Sequence, residues 1–268
     1  MLKNIFTNLW NAIQNSSKNL SNSDNLKTDT IDIDYHIGVH KRIYAIGDIH
    51  GCDVALKHSL EKMLLDSLNH LDKKLIFIGL GDYVDRGDNS KNVIELLLTK
   101  IPEYFEKIFI KGNHEIYMLG FITNPQENVS WLNFGGRETL ISYGVTPPER
   151  NKIDLERASL ELENNLPATH YDFLKNLQNY YIIDDYFFVH AGIDPDFHYD
   201  KQSELALTSI RLKFINHKGS FHGKKIIHGH TPVEKPDLQK HRINLDTGAY
   251  LTGNLTIGIF ENNEVTIL

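Results

Sequence analysis

The chain reads as a series of short apolar runs, each closed by a small polar cluster. Residues 42–46 run into Gly47-Asp48-Ile49-His50-Gly51, and residues 75–78 run into Gly81-Asp82. Residues 108–110 lead to Gly112-Asn113-His114-Glu115, residues 186–189 to His190-Ala191-Gly192, and residues 225–227 to His228-Gly229-His230. Runs of this length, rich in β-branched and aromatic residues and bounded by glycine, predict buried strands. Residues 54–68 and 91–98 carry apolar positions at helical spacing and predict helices between the early strands. Residues 243–245, 255–260 and 265–268 predict strands that follow one another. Alternation first and strands afterwards predicts an α/β core on which a later, partly antiparallel sheet packs. Residues 121–175 predict a helical cap or insert. In open α/β sheets ligands bind beyond the carboxyl ends of strands, so the five polar clusters are expected to meet on one rim.

The first residues follow a different pattern. Leu2, Ile5, Phe6, Leu9, Trp10 and Ile13 fall at helical spacing, and residues 15–30 are polar and almost without apolar side chains. This predicts a short amphipathic helix and a linker, an extension over residues 1–37 ahead of one folded domain at 38–268. Packing on the body is the expected role of the helix. Weak docking to a membrane or a protein is the alternative, and Lys3, its lone cation, gives it little hold on anionic lipid.

Composition narrows the chemistry. Of 268 residues, 41% are hydrophobic and 24% charged, values of an ordinary globular chain rather than a disordered one. A formal charge of −7 argues against nonspecific nucleic-acid binding, which needs a basic face. No run reaches the roughly 18 apolar residues of a membrane span. No signal-peptide pattern opens the sequence, so a cytoplasmic location is expected. One cysteine, Cys52, excludes a disulfide framework and a cysteine-rich zinc site. Fourteen histidines remain, so any metal site would be built from imidazole and carboxylate.

Asp48, His50, Asp82, Asn113, His190 and His230 all stand at predicted strand ends beside glycine. Singly, each reads as a helix cap or an ordinary polar residue. Together they offer only nitrogen and oxygen donors, which suit Mn²⁺, Fe or Zn²⁺. Two such ions about 3.5–4 Å apart form the clamp used for in-line displacement at phosphorus. Arg86 lies four residues beyond Asp82, and a guanidinium matches two phosphate oxygens at once. His114 directly follows Asn113, and Asp85 is a carboxylate able to keep it protonated.

The motifs Gly-Asp-Ile-His-Gly at 47–51, Gly-Asp-Tyr-Val-Asp-Arg-Gly at 81–87 and Gly-Asn-His-Glu at 112–115 resemble the three signatures of the phosphoprotein phosphatase family. That family is the Ser/Thr protein phosphatase branch of the calcineurin-like metallophosphoesterases. The likeness continues through Val-His-Ala-Gly at 189–192 and His-Gly-His-Thr-Pro at 228–232, and covers roughly residues 41–260. Trp131 to Gly136 with Thr139-Leu140, and Leu245 to Ala249, are similar to bacterial and phage members.

The resemblance implies two packed mixed β-sheets flanked by helices and two divalent ions, with Mn²⁺ expected ahead of Fe or Zn²⁺. Asp48 and His50 would bind the first ion, Asp82 would bridge, and Asn113, His190 and His230 would complete the second. His228 would be structural, and Asp246 would orient a ligand histidine. Arg86 and Arg211 would grip phosphate, although Ser209 stands where the family usually has tryptophan near Arg211. A metal-bridging hydroxide would attack phosphorus while His114, held by Asp85, protonates the leaving group, with Cys52 a bystander.

The expected substrate is phospho-Ser/Thr in a protein, or a small phosphate ester. A symmetric dinucleoside tetraphosphatase is the alternative, set second because that branch usually carries alanine at the position of Asp85 and Asp at that of Glu115. A nuclease of the wider superfamily would need a second histidine where Pro232 stands. An inactive binding module would be expected to have lost ligands that this chain keeps.

Overall fold

A computed structural model describes residues 30–32, 35–149 and 151–268. Its first sheet takes strands from both ends of the chain: β1 (Thr30–Asp32), β2 (Lys41–Ile46), β3 (Lys74–Gly79), β4 (Phe105–Phe109), β10 (Ile257–Glu261) and β11 (Glu264–Ile267). Their order is β1-β11-β10-β2-β3-β4, with β2, β3 and β4 parallel and the others antiparallel to their neighbours. The second sheet has the order β5-β6-β7-β9-β8, from β5 (Tyr180–Ile183), β6 (Tyr186–Val189), β7 (Lys225–His228), β8 (Asp237–Leu238) and β9 (Arg242–Asn244). Here β6, β7 and β9 are parallel.

Side chains alternate across a strand, and β2 shows what that does. Ile43 and Ala45 face the second sheet and pack with Ile76, Ile78, Phe188, Ile227 and Phe260. Tyr44 and Ile46 face the helical layer instead. A strand covered on both faces reads as a continuous apolar run, which is why β2 and β3 were legible. Each fully buried Ile or Phe contributes about 1.5–3 kcal/mol. Helix α1 (Asp53–Ser67) inserts Leu56, Leu60 and Met63, and α2 (Ser90–Thr99) inserts Val93, Ile94 and Leu97. On the far side, Phe187, Val189 and Ile226 pack with Leu207, Phe214 and Phe221. The layers are therefore helix, sheet, sheet, helix, as the family resemblance implied.

Three findings change the expected organisation. The chain enters the first sheet ahead of Gly38: β1 pairs with β11, and Tyr35 and Ile37 are buried. Thr30, expected at the end of a linker, opens that strand, while the rest of the linker and the amphipathic segment 1–13 lie outside the described residues. Strand β4 starts earlier than expected, because Glu106 and Lys107 break the apolar run of an edge strand whose polar residues are half-buried. Residues 121–175 are not a separate cap. They hold the end of α3 (Asn113–Thr123), a 3-10 turn, and α4 (Gly136–Ser142), α5 (Lys152–Asn165) and α6 (Ala168–Lys175). Trp131, Leu140, Leu162 and Leu174 from them share one core with Tyr44 and Phe77. Among the described residues no helix is long and apolar enough to cross a membrane.

Candidate active site

The carboxyl ends of β2, β3 and β4 lie on one edge because these strands run parallel, and those of β6, β7 and β9 do the same in the second sheet. Asp48, His50, Asp82, Asn113, His190 and His230 all follow such ends, and all six are buried. The backbone there is strained. Eight described non-glycine residues have positive φ, and five of them are His50, Asp82, Asp85, Arg86 and His230. Each such conformation costs about 1–3 kcal/mol and persists only where the surroundings impose it. Glycine does the rest: a Cβ at Gly112 would fall on the Asp82 carboxylate, and one at Gly229 on that of Asp48.

Asp82 is the centre of the cluster. Its Oδ2 lies 3.3 Å from His190 Nε2 and 3.5 Å from His50 Nε2, while its Oδ1 accepts from the His114 amide at 3.1 Å. His50, Asp82 and His114 form one group able to hold a cation, and Asp82, His190 and His230 form a second, sharing Asp82. Asp48 accepts from the His230 amide at 3.0 Å and lies 3.9 Å from His50 Nε2. Asn113 Oδ1 stands 3.2 Å from His190 Nε2, which is 3.1 Å from His230 Nδ1.

Hydrogen bonds outside the cluster aim these rings. His50 Nδ1 sits 2.9 Å from the Val84 carbonyl and His190 Nδ1 2.9 Å from that of Leu80, so each ring donates outward and turns Nε2 inward. The Nε2 atoms of His50 and His230 are buried and have no hydrogen-bond partner among the described residues. The Nε2 of His50, 3.5 Å from Asp82 Oδ2, is a buried nitrogen beside a carboxylate that a cation would satisfy, whereas His230 turns Nδ1 into the cluster.

The electrostatics agree. Burial pushes Asp48 well up, and the nearby Asp246 adds to this. Burial also opposes ionisation of Asp82, but His190 and His114 hold it well below the usual carboxylate range. Burial opposes charge on His190 as well, yet Asp82 and Asp48 push it up to about 10. The carboxylates thus draw positive charge to themselves. Burial pushes His50 down to about 3. His230 falls to about 2 through burial, the charge of His190 and, more weakly, that of Arg211.

Asp85 is completely buried. Its Oδ2 accepts from His114 Nδ1 at 2.7 Å and from Trp131 Nε1 at 2.8 Å, and its Oδ1 accepts from Thr139 Oγ1 at 2.6 Å. Glu115, also fully buried, accepts from the amides of Asp82, Tyr83, Val84 and Gly112 at 2.7–3.3 Å. Burial and the Asp82 charge push it up to about 7, while the four amides favour its carboxylate. Neither residue faces the rim where a substrate arrives. One sets an imidazole; the other pins two motif loops together.

Arg86 Nη2 lies 3.3 Å from His114 Nε2, and its guanidinium stacks on the Tyr250 ring at 4.6 Å. Tyr250, in the short helix Ala249–Thr252, also meets the His50 ring edge-on at 5.4 Å. Nothing in its sequence neighbourhood pointed to this role, since it is 164 positions from Arg86 and falls at the site only through the fold. Trp131 and Thr139 lay inside a segment similar to bacterial members, with no role attached to either. Arg211 is exposed, and its charge weakly opposes protonation of His230. One residue differs from expectation: Asp246 accepts from the Gly248 amide at 2.9 Å and so shapes a turn rather than holding a histidine. His228 is buried and packs edge-on against Phe214 at 4.9 Å, a structural position. Cys52 is half-buried, its thiol pushed up to about 11 by burial.

The chain is 28% identical over 245 residues to a bis(5'-nucleosyl)-tetraphosphatase PrpE, asymmetrical, of Oceanobacillus iheyensis, covering 83% of this chain and 90% of the relative. The protein of that name from Bacillus thuringiensis is 26% identical over 232 residues, covering 79% and 87%. A solved structure described provisionally as a diadenosine tetraphosphatase superposes with a TM-score of 0.59 at 19% identity, over 88% of this chain and 97% of the other. A cold-active protein-tyrosine phosphatase of a Shewanella species does so with a TM-score of 0.54 at 16% identity, over 87% and 80%. At such identities the structures establish the shared fold. The family model of the calcineurin-like phosphoesterases matches residues 41–267, from the start of β2 to the end of β11, and the chain belongs to that family.

Proposed function

We propose that this chain hydrolyses a phosphoanhydride bond in a bis(5'-nucleosyl) tetraphosphate. The observation that carries the reading is end-to-end likeness to relatives named for that activity, at 26–28% identity over most of both chains. It corrects the expectation of phospho-Ser/Thr hydrolysis. That expectation leaned on Asp85 and Glu115, which are buried against His114, Trp131, Thr139 and backbone amides. They tune and brace the site and have no means of telling a peptide from a nucleotide. The relatives' names also favour asymmetrical over symmetrical cleavage, giving a nucleoside triphosphate and a monophosphate.

Two divalent cations fit the cluster, as the unpartnered Nε2 of His50 and the two donor groups that share Asp82 support. In this reading Asp48 and His50 take one and Asn113, His190 and His230 the other. The nitrogen and oxygen donors suit Mn²⁺, Fe or Zn²⁺, and Mn²⁺ is put first on the family resemblance. Bound there, the pair would lower the pKa of water and neutralise phosphate charge. Arg86, steadied by Tyr250, and Arg211 bind and orient the phosphoryl oxygens. His114 carries a proton on Nε2 toward the leaving phosphate oxygen while Asp85 holds Nδ1.

The test is product analysis. Purified protein with Mn²⁺ and diadenosine tetraphosphate is expected to yield ATP and AMP. Two molecules of ADP would mark symmetrical cleavage. No turnover beside brisk hydrolysis of a phosphoserine peptide would overturn the reading.

A further inference from the structure

A row of rings leads from the carboxylate cluster to solvent. His50 meets His114 edge-on at 4.6 Å, His114 meets Tyr117 at 6.2 Å, and Tyr117 stacks on Phe134 at 5.6 Å with their planes 29° apart. Tyr117 follows His114 by three positions on α3, so the two share a helix face. Phe134 ends the 3-10 turn Val129–Asn133, whose Trp131 and Leu132 are buried in the core with Val129 packed against it. Phe134 itself is 45% exposed. Gly135, next in the chain, takes φ 106°, and its carbonyl accepts from the Arg86 amide at 3.3 Å. One turn therefore touches the arginine and presents the exposed ring.

We infer that Tyr117 and Phe134 form a stacking shelf for the nucleobase of a nucleotide whose phosphates lie at Arg86, an assignment that rests on the nucleotide reading above. A solvent-facing ring already stacked on a half-buried partner offers a flat π-face, which accepts any base and gives nothing to a bare polyphosphate. The shelf adjoins both the guanidinium that would hold phosphate and the imidazole on the leaving side. Phe134 is thus a specificity residue and takes no part in bond cleavage.

The experiment compares Phe134→Ala and Phe134→Trp with the unaltered chain, on diadenosine tetraphosphate and on inorganic tripolyphosphate, with Mn²⁺ present. A second readout is saturation transfer from the protein to the adenine protons of AMP. Phe134→Ala is expected to raise KM for the dinucleotide roughly five- to a hundred-fold, the effect of losing one base stack. Its kcat and its tripolyphosphate kinetics should hold within about twofold, the adenine signal should fade, and Phe134→Trp should restore both. Equal shifts on both substrates, or an adenine signal that survives Phe134→Ala, would overturn the shelf. If the unaltered chain fails to cleave the dinucleotide while the adenine signal still depends on Phe134, the tetraphosphatase reading falls and the shelf stands. If it cleaves the dinucleotide with no dependence on Phe134, the shelf falls and the tetraphosphatase reading stands.

Discussion

Asp85 Oδ2 and His114 Nδ1 are 2.7 Å apart in a buried setting, and the same carboxylate is held by Trp131 and Thr139. The imidazole is therefore fixed by a group that is itself fixed. Burial works against charge on His114, but Asp82 and Asp85 together raise its pKa, which favours the protonated ring.

How much that proton matters depends on what leaves. A seryl alkoxide is a strong base that needs protonation, whereas a nucleotide phosphate departs readily without it. His114→Asn is expected to lower kcat on an alkyl phosphate monoester by roughly 10²–10⁴ and on diadenosine tetraphosphate by clearly less. Parallel kcat measurements check this; an equal loss on both would remove His114 from proton transfer and leave it a binding role.

Tyr250 steadies Arg86 through its ring face. A cation–π contact contributes about 0.5–2 kcal/mol. Tyr250→Ala is expected to raise KM by roughly two- to thirty-fold, and Tyr250→Phe to leave it near the starting value. Initial-rate kinetics on the two variants decide the matter.

Cation binding should also be visible without turnover. A ligand that binds only the folded state stabilises it by about 2.7 kcal/mol at a hundred times its Kd. Added Mn²⁺ is expected to raise Tm, a chelator to reverse the rise, and His230→Ala to shrink it. A Tm indifferent to Mn²⁺ in the unaltered chain would contradict the assignment of the cluster.

Away from the site, Glu261 on β10 bonds Arg42 at 2.5 Å and also pairs with Lys73, and Arg42 reaches Asp66 at 2.9 Å. Burial opposes ionisation of Glu261, but Lys73 and Arg42 lower its pKa below the ordinary 4.5. A depressed carboxylate contributes stability that is fully present above the unfolded value and is lost as pH falls through the folded one. Unfolding midpoints should therefore drop as pH goes below about 4.5. Glu261→Gln is expected to lose about 1–2 kcal/mol at pH 7 and to flatten that slope, as denaturant titrations at several pH values would reveal.

The two-sheet core and six clustered donors were legible in the sequence because the signals are local. A strand buried on both faces is a continuous apolar run, and a ligand beside glycine at its end stays at that end wherever the strand goes. Edge strands were less legible, since β4 and β8 carry polar residues that interrupt the run. The start of the fold was misplaced because β1 is short and gains its place only by pairing with β11, more than 230 positions away.

What only the tertiary structure decided is direction. The sequence by itself determined that Asp85, Glu115, Tyr250 and Phe134 exist near motifs; it held no record of where they point. Packing turned Asp85 and Glu115 inward onto His114 and backbone amides, so they could not choose a substrate. It turned Tyr250 onto Arg86 and left Phe134 at the surface beside Tyr117. Side-chain direction depends on neighbours brought together from distant parts of the chain, and periodicity along one segment carries no information about them.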